Sequence, residues 1–144
     1  MTQRTLNNGD SGLVFRTAIN DNFTETAFLD EANTWTVAQV APTQTATTSG
    51  NVTLDFSAYN NFIITLNGNI TLDNPTTEQV GQSGFICFIQ DATGSRTLTL
   101  GTEYLNSGGT APTISTAANA IDIMGYCIVG TGQILLGSAL LEFS

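Results

Sequence analysis

The side chains that most enzymes use as bases, nucleophiles or phosphate ligands are scarce in this sequence. It contains no histidine and no lysine, and its three arginines are Arg4, Arg16 and Arg96. A nucleophilic serine, cysteine or threonine needs a neighbouring base, which here would have to be a carboxylate. Residues 81–85 (GQSGF) nearly match a nucleophile elbow, but they precede a predicted strand, whereas that elbow follows one. The sequence therefore predicts a protein that is not an enzyme.

Carboxylates are the remaining groups with catalytic chemistry, and in the C-terminal two thirds they occur singly. No motif pairs them as glycoside hydrolysis requires. The candidates are Asp55, Asp73, Asp91, Glu103 and Asp122. Residues 91–95 (DATGS) resemble a cation loop but supply one carboxylate, whereas calcium takes about six to eight oxygen ligands. We expect a tight turn in which Asp91 accepts hydrogen bonds from its own turn amides.

The two cysteines, Cys87 and Cys127, each lie in an apolar, strand-like run. We expect buried free thiols that act as small hydrophobic side chains, with a disulfide between neighbouring strands as the alternative. Two cysteines without a histidine argue against a metal site. The sequence thus predicts no cofactor and no metal.

Charge is sparse and mostly negative. Charged residues make up 10% of the chain, against about 25% in an average globular protein, and the net charge is −9. Three scattered arginines cannot form the basic patch that nucleic acid or anionic lipid requires, so both are excluded as partners. No apolar run approaches the roughly 20 residues of a membrane span. A surface with so little charge is either covered by Thr, Ser, Asn and Gln or hidden by another subunit.

An extended arm and a helix are predicted at the N-terminus. Residues 1–12 are polar and lack the apolar core of a signal peptide. In residues 13–29 an apolar side chain recurs every four positions, which is typical of an amphipathic helix with one narrow stripe. The stripe consists of Phe15, Ile19, Phe23 and Ala27. We expect this stripe to pack either on its own domain, or on identical copies of the chain or a neighbouring protein. Arg96, outside the helix, is expected either to reach a carboxylate across a subunit interface or to lie in water at a strand edge.

The rest of the chain is predicted to be strands. Residues 41–50 are read as a connection or an edge segment. Apolar and polar residues then alternate from Val52 to Phe56, Asn67-Gly68 is a strong signal for a two-residue hairpin turn, and residues 84–90 are expected to form a central strand covered on both faces. Turn signals every eight to twelve residues predict a mainly β fold, a single antiparallel β-sandwich or jelly-roll-like domain at 35–144 after the arm and short α-helix at 1–34.

Two stretches resemble virion proteins of tailed bacteriophages. Residues 90–100 (QDATGSRTLTL) with 109–124 (GTAPTISTAANAIDIM) are similar to a β module of tail fibres, spikes and decoration proteins. Residues 9–23 (GDSGLVFRTAINDNF) are similar to a short N-terminal segment of many phage tail and fibre proteins. The resemblance implies a homotrimeric component of the virion, made in the cytoplasm of the host bacterium. With a trimer, the expected attachment and trimer interface consists of Phe15, Ile19, Phe23, Ala27 and Arg96.

Two structural roles are consistent with these features. The first is a capsid decoration protein, of the cement or head-knob type, that braces or ornaments the shell and binds the major capsid protein. It is favoured slightly because 144 residues contain no long stalk and no sugar-binding insert. The alternative is a short tail fibre, or the tip or adaptor of one, that binds a tail protein and whose loops contact a host receptor such as a surface glycan.

Overall fold

Eight strands and one short 3-10 turn make up the regular structure of residues 40–143, the part of the chain that the computed structural model describes. The turn is Ser107–Gly109. The strands are β1 (Thr43–Val52), β2 (Asn61–Leu72), β3 (Ser83–Gln90), β4 (Leu98–Leu100), β5 (Tyr104–Asn106), β6 (Ile121–Gly130), β7 (Gln133–Leu136) and β8 (Leu140–Phe143). The predicted mainly β class is confirmed. The predicted arm and helix lie outside the described residues, and the division at residue 35 stays a prediction.

All eight strands belong to one mixed sheet with the order β1-β2-β3-β6-β7-β5. Outside this path, β4 pairs with the second half of β2 and β8 pairs with β6. Four pairs are parallel, namely β1–β2, β2–β3, β2–β4 and β5–β7, and the other three are antiparallel. The expectation of purely antiparallel pairing was therefore wrong, because turn residues mark where strands end but not the direction in which the next one runs.

Two crossover links connect strands that are consecutive in the chain and run parallel, one between β1 and β2 and one between β2 and β3. Residues 53–60 carry the chain from the end of β1 back to the start of β2, and this link buries Leu54 and Phe56 in the core. The sequence indicated that both side chains are buried, but it placed them on a strand. Residues 73–82 connect β2 to β3 in the same way. A parallel pair needs such a crossover, which is usually longer than a hairpin turn.

The predicted hairpin at Asn67-Gly68 does not form, because β2 runs through both residues. The positions opposite Thr48 and Gly50 of β1 are Leu66 and Ile70, so β2 bulges between them. A Cβ at Gly68 would lie 2.7 Å from the Cβ of Ser49, which makes glycine necessary for this close approach of two strands. On its other side, β2 changes partner from β3 to β4 across the same bulge.

The core lies on one face of the sheet, here called the inner face. Every second residue of β2, β3 and β6 points into it, including Phe62, Ile86 and Met124, each of which has 0% exposure. Phe56 packs edge-on against Phe62 and Tyr126, with ring centroids 5.0 and 5.2 Å apart. The predicted central strand at 84–90 is confirmed, with β2 and β6 as its neighbours. Its inner face is buried, whereas its other face is half-exposed, so the expectation of cover on both faces was wrong for residues 40–143.

Candidate functional site

The motif at residues 90–97 forms a turn that is held by its own side chains. One carboxylate oxygen of Asp91 accepts hydrogen bonds from the amides of Thr93 and Gly94, at 3.0 and 2.9 Å. The other accepts from the Arg96 guanidinium at 2.8 Å. Chiefly because of the bond from Arg96, the pKa of Asp91 lies below its ordinary value. The predicted tight turn is confirmed.

Buried Gln90 joins this turn to the second half of the motif. Its Nε2 donates to the carbonyl oxygens of Arg96 and Ser115, at 2.9 and 2.8 Å, and its Oε1 accepts from the Arg96 amide at 3.0 Å. Three of the four hydrogen bonds that a glutamine amide can make are thus used to hold backbone. The sequence reading did not identify Gln90, because a polar residue at the end of an apolar run looks like a strand terminus.

The two loops also contact each other through backbone. The Ser95 amide donates to the Thr116 carbonyl at 2.7 Å, and the Asn119 amide donates to the Asp91 carbonyl at 3.0 Å. Gly94 has a φ of +70°, and a Cβ there would lie 2.6 Å from the Thr116 oxygen. Glycine is therefore required twice over, by its backbone conformation and by the lack of space.

Asp122 anchors the far end of the motif. It is 1% exposed, and its two carboxylate oxygens accept from the amides of Ser115, at 2.5 Å, and Glu142, at 2.9 Å. A buried carboxylate is stable only when its lone pairs are satisfied. These two bonds tie the loop at 110–120 and β8 to β6.

Two hollows flank the loop segment at 110–116. One, of about 390 Å³, lies between this segment and the turn before β8 and is lined by Asn106, Thr110, Thr113 and Ser138 among others. The other, of about 260 Å³, is lined by Arg96, Thr97 and the opposite side of the segment. Hydroxyl and amide groups in such hollows can hydrogen-bond a polyhydroxylated ligand. In neither lining does a nucleophile stand beside a histidine or lysine base.

Two acidic side chains in the link between β2 and β3, Asp73 and Glu78, accept structural hydrogen bonds. Asp73 accepts from the Asn51 amide nitrogen at 2.9 Å, and Glu78 accepts from the Gly132 amide at 3.1 Å. Burial is the main cause of the raised pKa of the neighbouring Tyr104 hydroxyl. Across residues 40–143 no three acidic or cysteine side chains are placed to hold a metal ion. No helix in that same range is long and apolar enough to cross a membrane.

The cysteines differ from each other in burial and are both free thiols. Cys87 of β3 is half-buried, and burial raises the pKa of its thiol. Cys127 of β6 is exposed, which corrects the expectation that both are buried. Cys87 pairs in register with Ile123, four residues before Cys127, so the two thiols stand too far apart on adjacent strands for an intrachain disulfide.

The second face of the sheet is apolar and lacks a covering layer among residues 40–143. We call it the outer face. Its apolar side chains come from six strands: Ile63, Phe85, Cys87, Ile89, Leu105, Ile121, Ile123, Cys127, Leu135, Leu140 and Phe143. Uncharged polar residues on the same side include Asn61, Thr65, Ser83 and Gln133. Leu135, Leu140 and Phe143 remain 42%, 60% and 50% exposed. None of these positions carries a charge, so this face has the composition of a contact surface.

Of the five predicted interface residues, Arg96 is the one that lies within residues 40–143. The Arg96 guanidinium forms an ion pair with Asp91 of its own chain, and its place in a subunit interface stays a prediction. Phe15, Ile19, Phe23 and Ala27 lie outside the described residues. The sequence analysis did not identify the outer face. Two features of the sequence could have indicated it: the low share of charged residues, and the apolar residues at successive positions of β3, which place apolar side chains on both faces of that strand.

The sequence that forms most of the sheet and its loops matches a known protein family. Residues 43–133, from the start of β1 to the start of β7, match the family described as "Putative phage tail fibre C-terminal domain". The match covers well over half of the chain. No curated protein and no solved structure gives a significant match to the sequence.

Proposed function

We propose that this chain, which belongs to the phage tail fibre C-terminal domain family, forms the end of a tail fibre on the virion. Membership of the family makes it a structural protein of a bacteriophage particle. The observation that carries the finer assignment is the family match, because it spans the first six of the eight strands completely and both halves of the loop motif. The match supports the tail fibre alternative over capsid decoration, which the sequence alone slightly favoured.

The protein works by binding and not by catalysis in this proposal. Support comes from the motif residues, since Gln90, Asp91 and Asp122 hold backbone amides and carbonyls instead of facing a common space. The hydroxyl-lined hollow beside residues 110–113 offers hydrogen-bonding groups to a host-surface glycan. The remaining partner is the tail protein of the same phage to which the fibre attaches.

Identical copies of the chain associate as a homotrimer in the same proposal. The apolar outer face and the low share of charged residues support self-association, because monomeric proteins rarely leave such patches uncovered. A fibre end also presents its loops several times over, which raises the avidity for a repeated surface receptor.

Copy number in purified virions tests the fibre assignment. Quantitative mass spectrometry of intact particles, referenced to the major capsid protein, should give a few to a few tens of copies, and separated tails should retain the protein. Hundreds of copies that remain with tail-less heads would identify a decoration protein and overturn the proposal.

A further inference from the structure

We propose that the outer face is the surface through which copies of this chain associate with one another. The inference rests on the self-association included in the proposed function and names the surface that carries it. The occupant of the face is a second copy of the same chain.

The outer face is continuous across the sheet because paired residues point to the same side. One row runs from β2 to β8 through Ile63, Cys87, Ile123 and Leu140. A second row contains Ile89, Ile121 and Phe143. Cys127, Leu135 and Leu105 extend the surface over β7 to β5. The apolar area therefore spans six strands and is not a set of isolated exposed side chains.

The distribution of charged residues favours a second copy of the chain as the partner that covers the outer face. Residues 40–143 contain seven carboxylates and one arginine, a net charge of −6, so two copies repel each other over most of their surfaces. In the strands of the sheet, the charged residues are Asp122, which is buried in the core, and Glu142, which lies at the register shift between β6 and β8. The outer face is thus a broad surface on which like charges of two copies do not meet. A basic or an acidic partner would find no ionic complement there.

The border of the face also suits a subunit contact. On the β1 side, Thr43, Thr45 and Thr47 pair with Asn61, Ile63 and Thr65 of β2, so a band of hydroxyl groups adjoins the apolar centre. An apolar centre with a polar border is the usual anatomy of a protein–protein interface. At the opposite border, β8 has all four residues exposed, and a covering copy would bury Leu140 and Phe143.

Reactivity of the exposed thiol reports directly on whether the face is covered. In the full-length Cys87→Ala variant, which keeps this position of the outer face apolar, Cys127 is the single thiol, and it reacts with a neutral maleimide. At tens of micromolar protein, light scattering should give an assembled species, and labelling should be at least tenfold slower than after dilution to the monomer. The dilution control separates cover by a second copy from cover by residues 1–39 of the same chain, which would persist in the monomer.

A pair of substitutions with equal charge tests the surface itself. Leu140→Glu places a carboxylate on the outer face, where Leu140 is 60% exposed. Val80→Glu adds the same charge at a residue that is 66% exposed in the link between β2 and β3. We expect Leu140→Glu to weaken association at least tenfold and to release Cys127 for labelling, while Val80→Glu assembles normally. Circular dichroism verifies that the variants fold. If Leu140→Glu does not fold, Leu140→Ser replaces it in the same association and labelling measurements.

Each remaining outcome overturns the inference in a distinguishable way. An assembled protein with fast-reacting Cys127 and unchanged Leu140→Glu association places the contact elsewhere and leaves the homotrimer standing. A wild-type monomer at tens of micromolar removes both self-association and the proposed surface. A thiol that stays protected in the monomer shows that the chain covers the face itself. Copy number in the virion bears on the fibre assignment separately from all three.

Discussion

The guanidinium of Arg96 donates to a single carboxylate oxygen of Asp91 from both Nε, at 3.3 Å, and Nη2, at 2.8 Å. The other oxygen of Asp91 receives the amides of its own turn. The one arginine in residues 40–143 thus stabilises a loop of its own subunit, and this loop packs against the segment at 110–120. The arrangement gives this domain a fixed loop surface, which a rigid binding module requires.

Asp91→Asn should lower the melting temperature at neutral pH. The folded-state pKa of Asp91 is depressed, so its stabilising contribution is fully present above the unfolded value of about 3.8 and is lost as pH falls through the folded pKa. The difference in melting temperature between the wild type and the variant should shrink from pH 5 toward pH 2. A difference that is independent of pH over this range would contradict the assigned role of the carboxylate.

Gly94→Ala should destabilise the fold by about 2–3 kcal/mol, since it combines an unfavourable positive φ with a close backbone contact. Gly108→Ala is the matched control, because Gly108 has the same φ of +70° and nothing within 4 Å of an added Cβ. That variant should lose about 1 kcal/mol from the backbone conformation alone. Urea unfolding of both measures the difference, and equal losses would show that the contact with Thr116 can relax.

Asp122→Ala should cost about 3 kcal/mol, because two buried backbone amides lose their acceptor. Asp122→Asn keeps one acceptor oxygen and should cost less. Hydrogen exchange at the amides of Ser115 and Glu142 should accelerate in the alanine variant more than exchange in the centre of β3. Unchanged protection at both amides would refute the view that Asp122 ties the loop and β8 to the sheet.

The free energy of unfolding should fall between pH 10 and about 12 as Tyr126 ionises. Burial raises the pKa of Tyr126 from 10.0 to about 12, and its hydroxyl donates to the Asn60 carbonyl at 2.8 Å. Because the folded pKa is raised, the contribution of this group is present below the unfolded value and is lost as pH rises through the folded value. Tyr126→Phe should reduce the alkaline loss measured by urea unfolding. An identical loss in both proteins would assign it to another group.

Alternation of apolar residues revealed the strands and most of the core. The period of two along β2 and β3 predicts that every second side chain points to the same side of the sheet. The structure buries those side chains, among them Phe62, Ile64, Ile86 and Phe88. Strand direction was not accessible in this way, because the link at 53–60 has the composition of a strand and becomes a crossover only by burying Leu54 and Phe56. The hairpin predicted at Asn67-Gly68 was wrong for a related reason. Gly68 is required because Ser49 of the neighbouring strand packs closely against it, and not because the chain turns there.

The residues of the candidate site were also predictable only where their partners are close in the chain. Asp91 was identified as a turn residue because its partners are two and three positions away along the chain. Gln90 bonds Ser115 and Asp122 bonds Glu142, contacts between residues 25 and 20 positions apart that only the folded chain brings together. The outer face likewise depends on strand order, because rows such as Cys87, Ile123 and Leu140 are assembled from separate strands.

Electron microscopy of intact virions labelled with gold-conjugated antibody against this protein tests the central claim most directly. The account predicts label at the ends of tail fibres, a few gold particles per virion, and none on the shell. Label distributed over the capsid surface, with bare tails, would contradict it.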